Sequence, residues 1–386
     1  AVIGNPPYVR QETLGTAKAY FQAHYQVYHG MADLYAYFIE RGYSLLRPGG
    51  RFGYIVANKW MRANYGEPLR RWLKARHLEQ IIDFGDLPVF EQATTYPCIL
   101  ILEQAPPADE IAVTQVQSLT FPNLGALQRE QSYPLAVASL QDTGWSLARP
   151  ASAALLEKLR AAGQPLGDYV QGKIYYGIKT GLNEAFVIDA ATRERLIAAD
   201  PRSAELIVPY LLGKDIKRYQ ILENQRYLIR IPRGWTRIQS RNAVNAWAWF
   251  KRNQPAIAAY LEPFTQAAEK RCDKGEYWWE LRACDYYTDF EKKKIIWGNM
   301  ATTPNFTYDE SGYYINAPAV IAVSDDKFVL AILNSKITYY IISQIAAGRQ
   351  GGFFEYKPMY VSQIPIRTIN FSDPAEAALH SRMVAL

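Results

Sequence analysis

Between residues 31 and 104 the chain alternates helical and strand periodicity, and this alternation constrains the fold more than any other feature. MADLYAYFIERGYSLLRPGG sets Leu34, Tyr37, Phe38, Tyr43 and Leu45 at helical spacing and stops at Pro48-Gly49-Gly50. RFGYIVANKW then reads as a buried strand, GEPLRRWLKARH as an amphipathic helix with a basic face, LEQIIDF as a strand and TYPCILILE as another. Helix, strand, helix, strand is the grammar of an α/β sheet. The last two strands are joined only by GDLPVFEQAT, too short for a helical crossover, so they are expected to pair antiparallel at a sheet edge.

Ahead of this block, Ala1-Val2-Ile3 is a short apolar run, Gly4 punctuates it, and Asn5-Pro6-Pro7-Tyr8 forms a rigid polar and aromatic turn at its end. Residues 1–104 therefore read as the C-terminal half of a doubly wound α/β sheet. Its remaining strands are expected before Ala1, because an uncovered sheet edge is a poor stopping point, and the chain is expected to be part of a longer polypeptide.

Residues 105–148 mix proline and glycine with short runs and read as a connecting segment. Residues 149–386 read as a mixed α+β domain. ASAALLEKLRAAGQPLGDYV is a helix and turn, AFVID, RYLIRI, KKIIWGN and YYINAPAVIAV are strand-like, and DKFVLAILNSKITYYIISQIAA reads as one long apolar helix, capped by Ser324 or Asp325 and stopped by Gly348. At 386 residues and 49% hydrophobic, the chain is long enough for two or three domains. No apolar run approaches the ~20 residues that span a bilayer, and no signal-peptide layout opens the chain, so no membrane partner and a cytoplasmic location are expected. Cys98, Cys272 and Cys284 form no CxxC pair and read as reduced thiols, and His24, His29, His77 and His380 show no ligand spacing, so no metal is expected. A net charge of +6 favours an anionic partner only mildly, whereas 28 Tyr and 9 Trp, many beside Lys or Arg, supply rings and cations suited to bases and phosphates.

The Asn5-Pro6-Pro7-Tyr8 turn has a chemical logic. Two prolines fix φ and remove donors, so the Asn5 amide and the Pro6 carbonyl can stand as a preset pair of acceptors, with the Tyr8 ring as a stacking face. Such a turn can hold a planar exocyclic amino group by its two protons and aim its lone pair at an electrophile. On the residues alone, an N-alkylation site and a proline-stiffened turn with an incidental tyrosine both fit.

The same tetrapeptide resembles the catalytic motif of the amino-methyltransferases of DNA. The likeness extends through DLYAYFIERGYSLLRPGGRFGYIVANKW and LRRWLKARHLEQIIDFGDLPVFEQATTYPCILIL, to about residue 104. It implies that Asn5, Pro6, Pro7 and Tyr8 grip the N6 amino group of a flipped adenine, that Phe90 supplies a second aromatic against that base, with Tyr96 a weaker candidate, and that S-adenosylmethionine is the donor, bordered here by Asn5. Flipping costs a few kcal/mol. Stacking contributes about 1–3 kcal/mol per base, enough to offset much of that. The family builds its donor pocket from a glycine-rich loop and an acidic residue ahead of this motif, so the chain alone is expected to bind the donor poorly and to be inactive. GRQGGF follows a helix and is no substitute.

Residues 165–366 resemble the target-recognition region of TaqI-like and Eco57I-like DNA methyltransferases and fused restriction-modification enzymes, through GKIYYGIKTGLNEAFVID, LLGKDIKRY, LRACDYYTDFEKKKIIWGNM and FVLAILNSKITYYIISQIAAGRQGGFFEYKPMYVSQIPI. Double-stranded DNA is the partner this implies. Lys179, Thr180 and Asn183 in GIKTGLN read as a phosphate or base-edge loop, or as a tight hairpin with a surface lysine. Lys214, Lys217 and Arg218 read as phosphate contacts or a solvated basic face. Lys292 to Lys294 suit phosphate steering, and Arg349, Gln350 and Lys357 sit in a glycine-rich loop where Arg and Gln match guanine and adenine edges.

The expected function is site-specific adenine-N6 methylation within a bacterial restriction-modification or phage-defence enzyme. Methylation of a protein glutamine is the enzymatic alternative, since the tetrapeptide can hold a carboxamide, and a non-catalytic DNA-binding specificity module is the other. A nuclease can be fused upstream; no PD-ExK pattern stands within this chain.

Overall fold

The computed structural model describes residues 1–90, 95–223, 225–346, 348–349 and 351–385. They fall into two units, Ala1–Lys158 with Ser343–Phe354, and Leu159–Ile342 with Glu355–Leu386.

In the first unit, β1 (Val2–Gly4) is followed by α1 (Ala17–His24), α2 (Tyr35–Ser44), β2 (Arg51–Ala57), α3 (Glu67–Lys74), β3 (His77–Asp83), β4 (Pro97–Glu103), β5 (Glu110–Gln115), α4 (Leu124–Gln131) and β6 (Tyr133–Ala136). The strands form one sheet in the order β1-β2-β4-β3-β5-β6. β1 runs parallel to β2, with Val2 opposite Phe52, and β3 runs parallel to β5. β4 lies antiparallel between β2 and β3, and β6 is antiparallel to β5. The α/β reading and the antiparallel β3–β4 pair therefore hold, but that pair is interior rather than at the edge. The reason is segment 105–148, expected to be a connection, which contributes β5 and β6 and buries Leu140, Trp145 and Leu147 in the same core.

β2 buries every second residue, Phe52, Tyr54 and Val56, as a half-exposed strand must. α2 turns Tyr35, Ala36, Tyr37, Ile39 and Gly42 inward. Its buried face is thus rotated from the expected one: Phe38 and Leu45 are exposed, while Tyr37 stacks on Phe21 at 4.2 Å and 6°. Gly42 allows the approach, since a Cβ there would lie 2.7 Å from the Phe52 ring. The basic face of α3 is largely consumed within the protein. Arg70 is fully buried and donates to the carbonyls of Trp60, Ala63 and Asp142, while Lys74 pairs with the Asp142 carboxylate at 3.0 Å.

The second unit holds two four-stranded sheets. One orders Tyr314–Ile315, Ile207–Leu211, Arg226–Ile229 and Val187–Asp189; the other, wholly antiparallel, orders Phe306–Asp309, Lys294–Trp297, Val320–Val323 and Ile174–Tyr176. Their buried faces share one core with the helices Ala246–Asn253 and Pro255–Leu261. The expected long apolar helix is two, Lys327–Leu333 and Lys336–Ile345, bent by 59°. Asn334 breaks it: its buried carboxamide accepts from Phe306 N and donates to Phe306 O, edge pairing that a continuous helix could not supply. The first helix is capped by Asp326, one residue beyond the expected caps, which accepts from Phe328 N at 2.8 Å. Among the described residues no single helix is long and apolar enough to cross a membrane.

Gly66 shows how tightly the first core is closed, because a Cβ there would fall 1.9 Å from the Trp60 carbonyl oxygen and 2.7 Å from Arg70 Nη1. Gly66→Ala is expected to destabilise the chain by about 1–3 kcal/mol in thermal unfolding, as overpacking does. Gly53→Ala, which meets nothing within 4 Å, is expected to stay within about 1 kcal/mol of the parent.

Candidate functional site

In open α/β sheets, function gathers at the carboxyl ends of the parallel strands. Here β1, β2 and β3 point the same way, so Asn5, Asn58 and Asp83 arrive at one rim of the sheet. Asn5 follows β1 directly; it is exposed, and its side chain has no hydrogen-bond partner among the described residues. Pro6 is buried, Pro7 exposed and Tyr8 half-buried. The Tyr8 hydroxyl donates to Ile55 O of β2 at 3.5 Å, and burial pushes its phenol up to about 12, so it stays neutral at any working pH.

Phe90 lies across from it. The two rings meet edge to face with centroids 6.4 Å apart at 70°, so two residues far apart in the sequence are brought together, as expected. Tyr96, at the other end of the β3–β4 connection, instead faces Lys59, whose ammonium is 5.7 Å from the ring, and its carbonyl accepts from Asn58 N at 2.6 Å. Residues 91–94 lie outside the described ones.

Sequence reasoning missed the polar residues of this rim. Asn58 donates to Asp83 Oδ1 at 2.8 Å, and the same oxygen accepts from Gly85 N at 3.1 Å, fixing the turn that leads to Phe90. A polar residue immediately after an apolar strand, at Asn58 and again at Asp83, was the available signal. No glycine-rich turn carries a strand into a helix among the described residues of this unit, so these residues do not fit a cradle for S-adenosylmethionine.

In the second unit, Lys179 and Asn183 are exposed, but Thr180 is buried and acts within its loop, donating to Asn183 Oδ1 at 2.6 Å and accepting from Leu182 N. The loop is pinned by a residue that no sequence pattern marks. Arg271 donates to the carbonyls of Thr180, Asp273, Trp278 and Glu280 and lies 4.2 Å over the Phe186 ring, and burial pulls its guanidinium down to about 10. Lys214 and Lys217 are exposed, and Arg218 donates to Asn334 O at 3.0 Å. Lys357 pairs with Glu355 at 2.7 Å. Arg349 is half-buried in the first unit, in a hairpin opposite Phe353, and Gln350 lies outside the described residues. The lysine run corrects one expectation. Lys293 is exposed and Lys292 pairs with Asp289 at 2.6 Å, but Lys294 is fully buried against Asp309 and Phe290 O, unable to reach a phosphate.

Residues 1–90 match the family described as Eco57I restriction-modification methylase, and residues 208–366 match the TaqI-like C-terminal specificity domain. In these two regions the chain is similar to type II restriction-modification DNA methyltransferases. It is 26% identical over 98% of its length to the type II methyltransferase M.PaeR7I of Pseudomonas aeruginosa, covering 67% of that protein. With M.XhoI of Xanthomonas vasicola the identity is 23% over the whole chain and 71% of the relative, and with the restriction enzyme and methyltransferase RM.Eco57I of Escherichia coli 24% over 98% of the chain and 41% of the relative. The fold is that of the type IIL restriction-modification enzyme MmeI in complex with DNA, with a TM-score of 0.62 and 13% identity over 99% of this chain and 48% of that one. The chain thus spans about two thirds of the first two relatives and less than half of the others.

Within the part that matches the specificity domain, the lysine run separates structure from surface. Lys294→Ala leaves the buried Asp309 carboxylate with the backbone donors Ser311 N and Tyr313 N among the described residues, and is expected to cost about 3–5 kcal/mol in denaturant unfolding. Lys293→Ala is expected to stay within about 0.5 kcal/mol of the parent.

Proposed function

We propose that this methyltransferase acts on the N6 amino group of adenine, extruded from a specific DNA duplex, with S-adenosylmethionine supplying the methyl group. The exposed Asn5, three residues from the Tyr8 ring that meets Phe90, carries the reading. An adenine entering beside these rings presents its edge to the turn. The Asn5 carboxamide oxygen and the Pro6 carbonyl accept the two N6 protons, which draws the nitrogen lone pair out of conjugation with the purine ring and leaves it directed outward for alkylation. Tyr8 and Phe90 replace part of the stacking the base loses on leaving the helix.

The specificity domain and the second aromatic favour this over a protein glutamine as acceptor. The intact Asn5-Pro6-Pro7-Tyr8 turn favours an enzyme over a purely binding module. Lys179, Asn183, Lys214 and Lys217 are proposed to contact DNA, with Arg218 and Lys357 beside them. The protein acts in a restriction-modification setting in the bacterial cytoplasm, and relatives such as RM.Eco57I, a combined restriction enzyme and methyltransferase, make a fused nuclease part of the proposal. Because the described residues of the first unit make no donor cradle, the chain alone is proposed to methylate poorly.

In the protein that carries this chain, Asn5→Ala is expected to reduce N6-methyladenine, read by mass spectrometry of digested DNA, below detection while duplex affinity stays within about twofold; a variant that still methylates rejects the acceptor role. Tyr8→Ala and Phe90→Ala are each expected to lose about 5- to 150-fold in rate, the equivalent of about 1–3 kcal/mol of stacking, whereas Tyr8→Phe keeps the ring and most of the activity. Duplex affinity of the chain is expected to fall steeply with salt, as phosphate contacts require.

A further inference from the structure

The second unit carries a cleft of about 660 Å³ that the recognition loops leave open to solvent. Its lining includes Tyr176, Lys179, Arg282, Asp285, Asn299 and Lys357. We infer that this cleft is a base-reading site, in which Lys179 anchors a DNA phosphate while Asp285 and Asn299 read the edge of the adjoining base pair. The inference rests on the DNA reading proposed above and adds residues that decide which sequence is chosen.

The donor and acceptor mixture is the first reason. A cleft built for phosphate alone would be uniformly cationic. Here an exposed carboxylate, Asp285, stands among the cations, where it would repel a phosphate but can accept from the exocyclic amino group of cytosine. Asn299 adds a carboxamide, the group that pairs with an adenine edge, and its Oδ1 has no hydrogen-bond partner among the described residues. A polar atom left without a partner costs about 1–3 kcal/mol, a cost that a base donor would relieve once the amide turned toward it.

Rigidity is the second reason. Residues on both sides of Lys179 are held: Ile178 N donates to Ile315 O at 2.7 Å, Ala317 N donates to Ile178 O at 3.0 Å, and the Thr180 carbonyl is gripped by Arg271. Gly177 lies so close to Asn316 that a Cβ would come within 2.5 Å of its backbone. The Tyr286 wall is stacked on Tyr175 at 4.2 Å and 6°. Arg282 and Lys357 are already paired, with Asp273 at 3.1 Å and Glu355 at 2.7 Å, whereas Lys179 has no ion pair or hydrogen bond with a described residue. One free cation on a fixed loop beside two edge-reading groups is an arrangement for register plus readout.

Selection of bound duplexes from a randomised DNA library by the full chain, followed by affinity against salt, tests this. Asp285→Asn and Asn299→Ala leave the backbone bonds of the cleft in place, since Asn299 holds Tyr356 N through its carbonyl. Each is expected to alter the selected base at one position or two adjacent ones, with at least tenfold relaxation there, and to keep the salt slope of the parent. Lys179→Ala is expected to weaken all sequences alike and to lower the slope by about one. Asp285→Asn and Asn299→Ala chains that fold, bind DNA as tightly as the parent and select the same sequence overturn the cleft assignment alone. A parent chain that selects no sequence and shows no salt-dependent duplex binding overturns the DNA reading, and this inference with it.

Discussion

The parallel pairing of three-residue β1 with β2 is the constraint on which the candidate site at the Asn5 rim depends. Val2, Ile3 and Gly4 lie beside Phe52, Gly53 and Tyr54, and this register delivers Asn5 to the sheet rim just as the backbone is released from its ladder. Gly4 lets the Tyr54 ring pack close to the last pair, since a Cβ there would press to 3.0 Å on that ring. The turn then returns to the same strand, as the Tyr8 hydroxyl reaches Ile55 O, and Val9 O accepts from Leu34 N at the start of α2. A turn stiffened by two prolines and tied at both ends needs little further ordering to present an exposed amide, which is the preorganisation that the proposed acceptor role of Asn5 requires.

The recognition unit relies on another device, polar side chains spent inside the protein to hold loops on its surface. Glu280 is fully buried and accepts from the backbones of Gly234, Thr236 and Glu276, while Arg271 gathers four carbonyls. Asp215 caps the Gly213–Asp215 turn through Leu212 N and holds Arg226 at 2.7 Å, which steadies the loop bearing Lys214 and Lys217. Such pins contribute little net stability compared with a well-packed apolar core. What they supply is a defined geometry for loops that have no regular secondary structure of their own.

Local periodicity made the strands and helices of the first unit legible, since each of β2, β3 and β4 is a run whose burial follows from its own residues. Asn5-Pro6-Pro7-Tyr8 was legible for the same reason: its chemistry lies in four consecutive residues. Partnerships across long separations were not. Nothing within ALQREQSYPLAV announces that Tyr133–Ala136 completes a sheet, because β6 is short, contains Pro134 and is defined by its neighbour β5. The break at Asn334 was hidden likewise; an asparagine in an apolar helical run is ordinary until a strand edge at Phe306 competes for its carboxamide. Thr180 and Lys294 misled in the same direction, since a polar residue in a loop or a lysine in a run looks solvated, and only the fold shows the partner that removes it from the surface.

That removal bears on how charge should be read in such chains. Lysines and arginines outnumber acids by 43 to 37, yet the surplus says little about where a polyanion binds, because many of the cations are already engaged. Asp142 takes both Arg71 and Lys74, and the Lys74 hydrogen bond holds its carboxyl below the usual range. Asp289 takes Lys292, and Glu355 takes Lys357. Screening at physiological salt reaches about 8 Å, so a paired cation presents little field to a phosphate approaching from solvent. The electrostatic footprint is therefore set by the cations that stay exposed on loops held in place from beneath, Lys179 between its pinned neighbours and Lys214 and Lys217 around the Asp215 cap. Under the proposed DNA reading, their positions, rather than the net charge, would decide the register in which a duplex lies against the specificity domain.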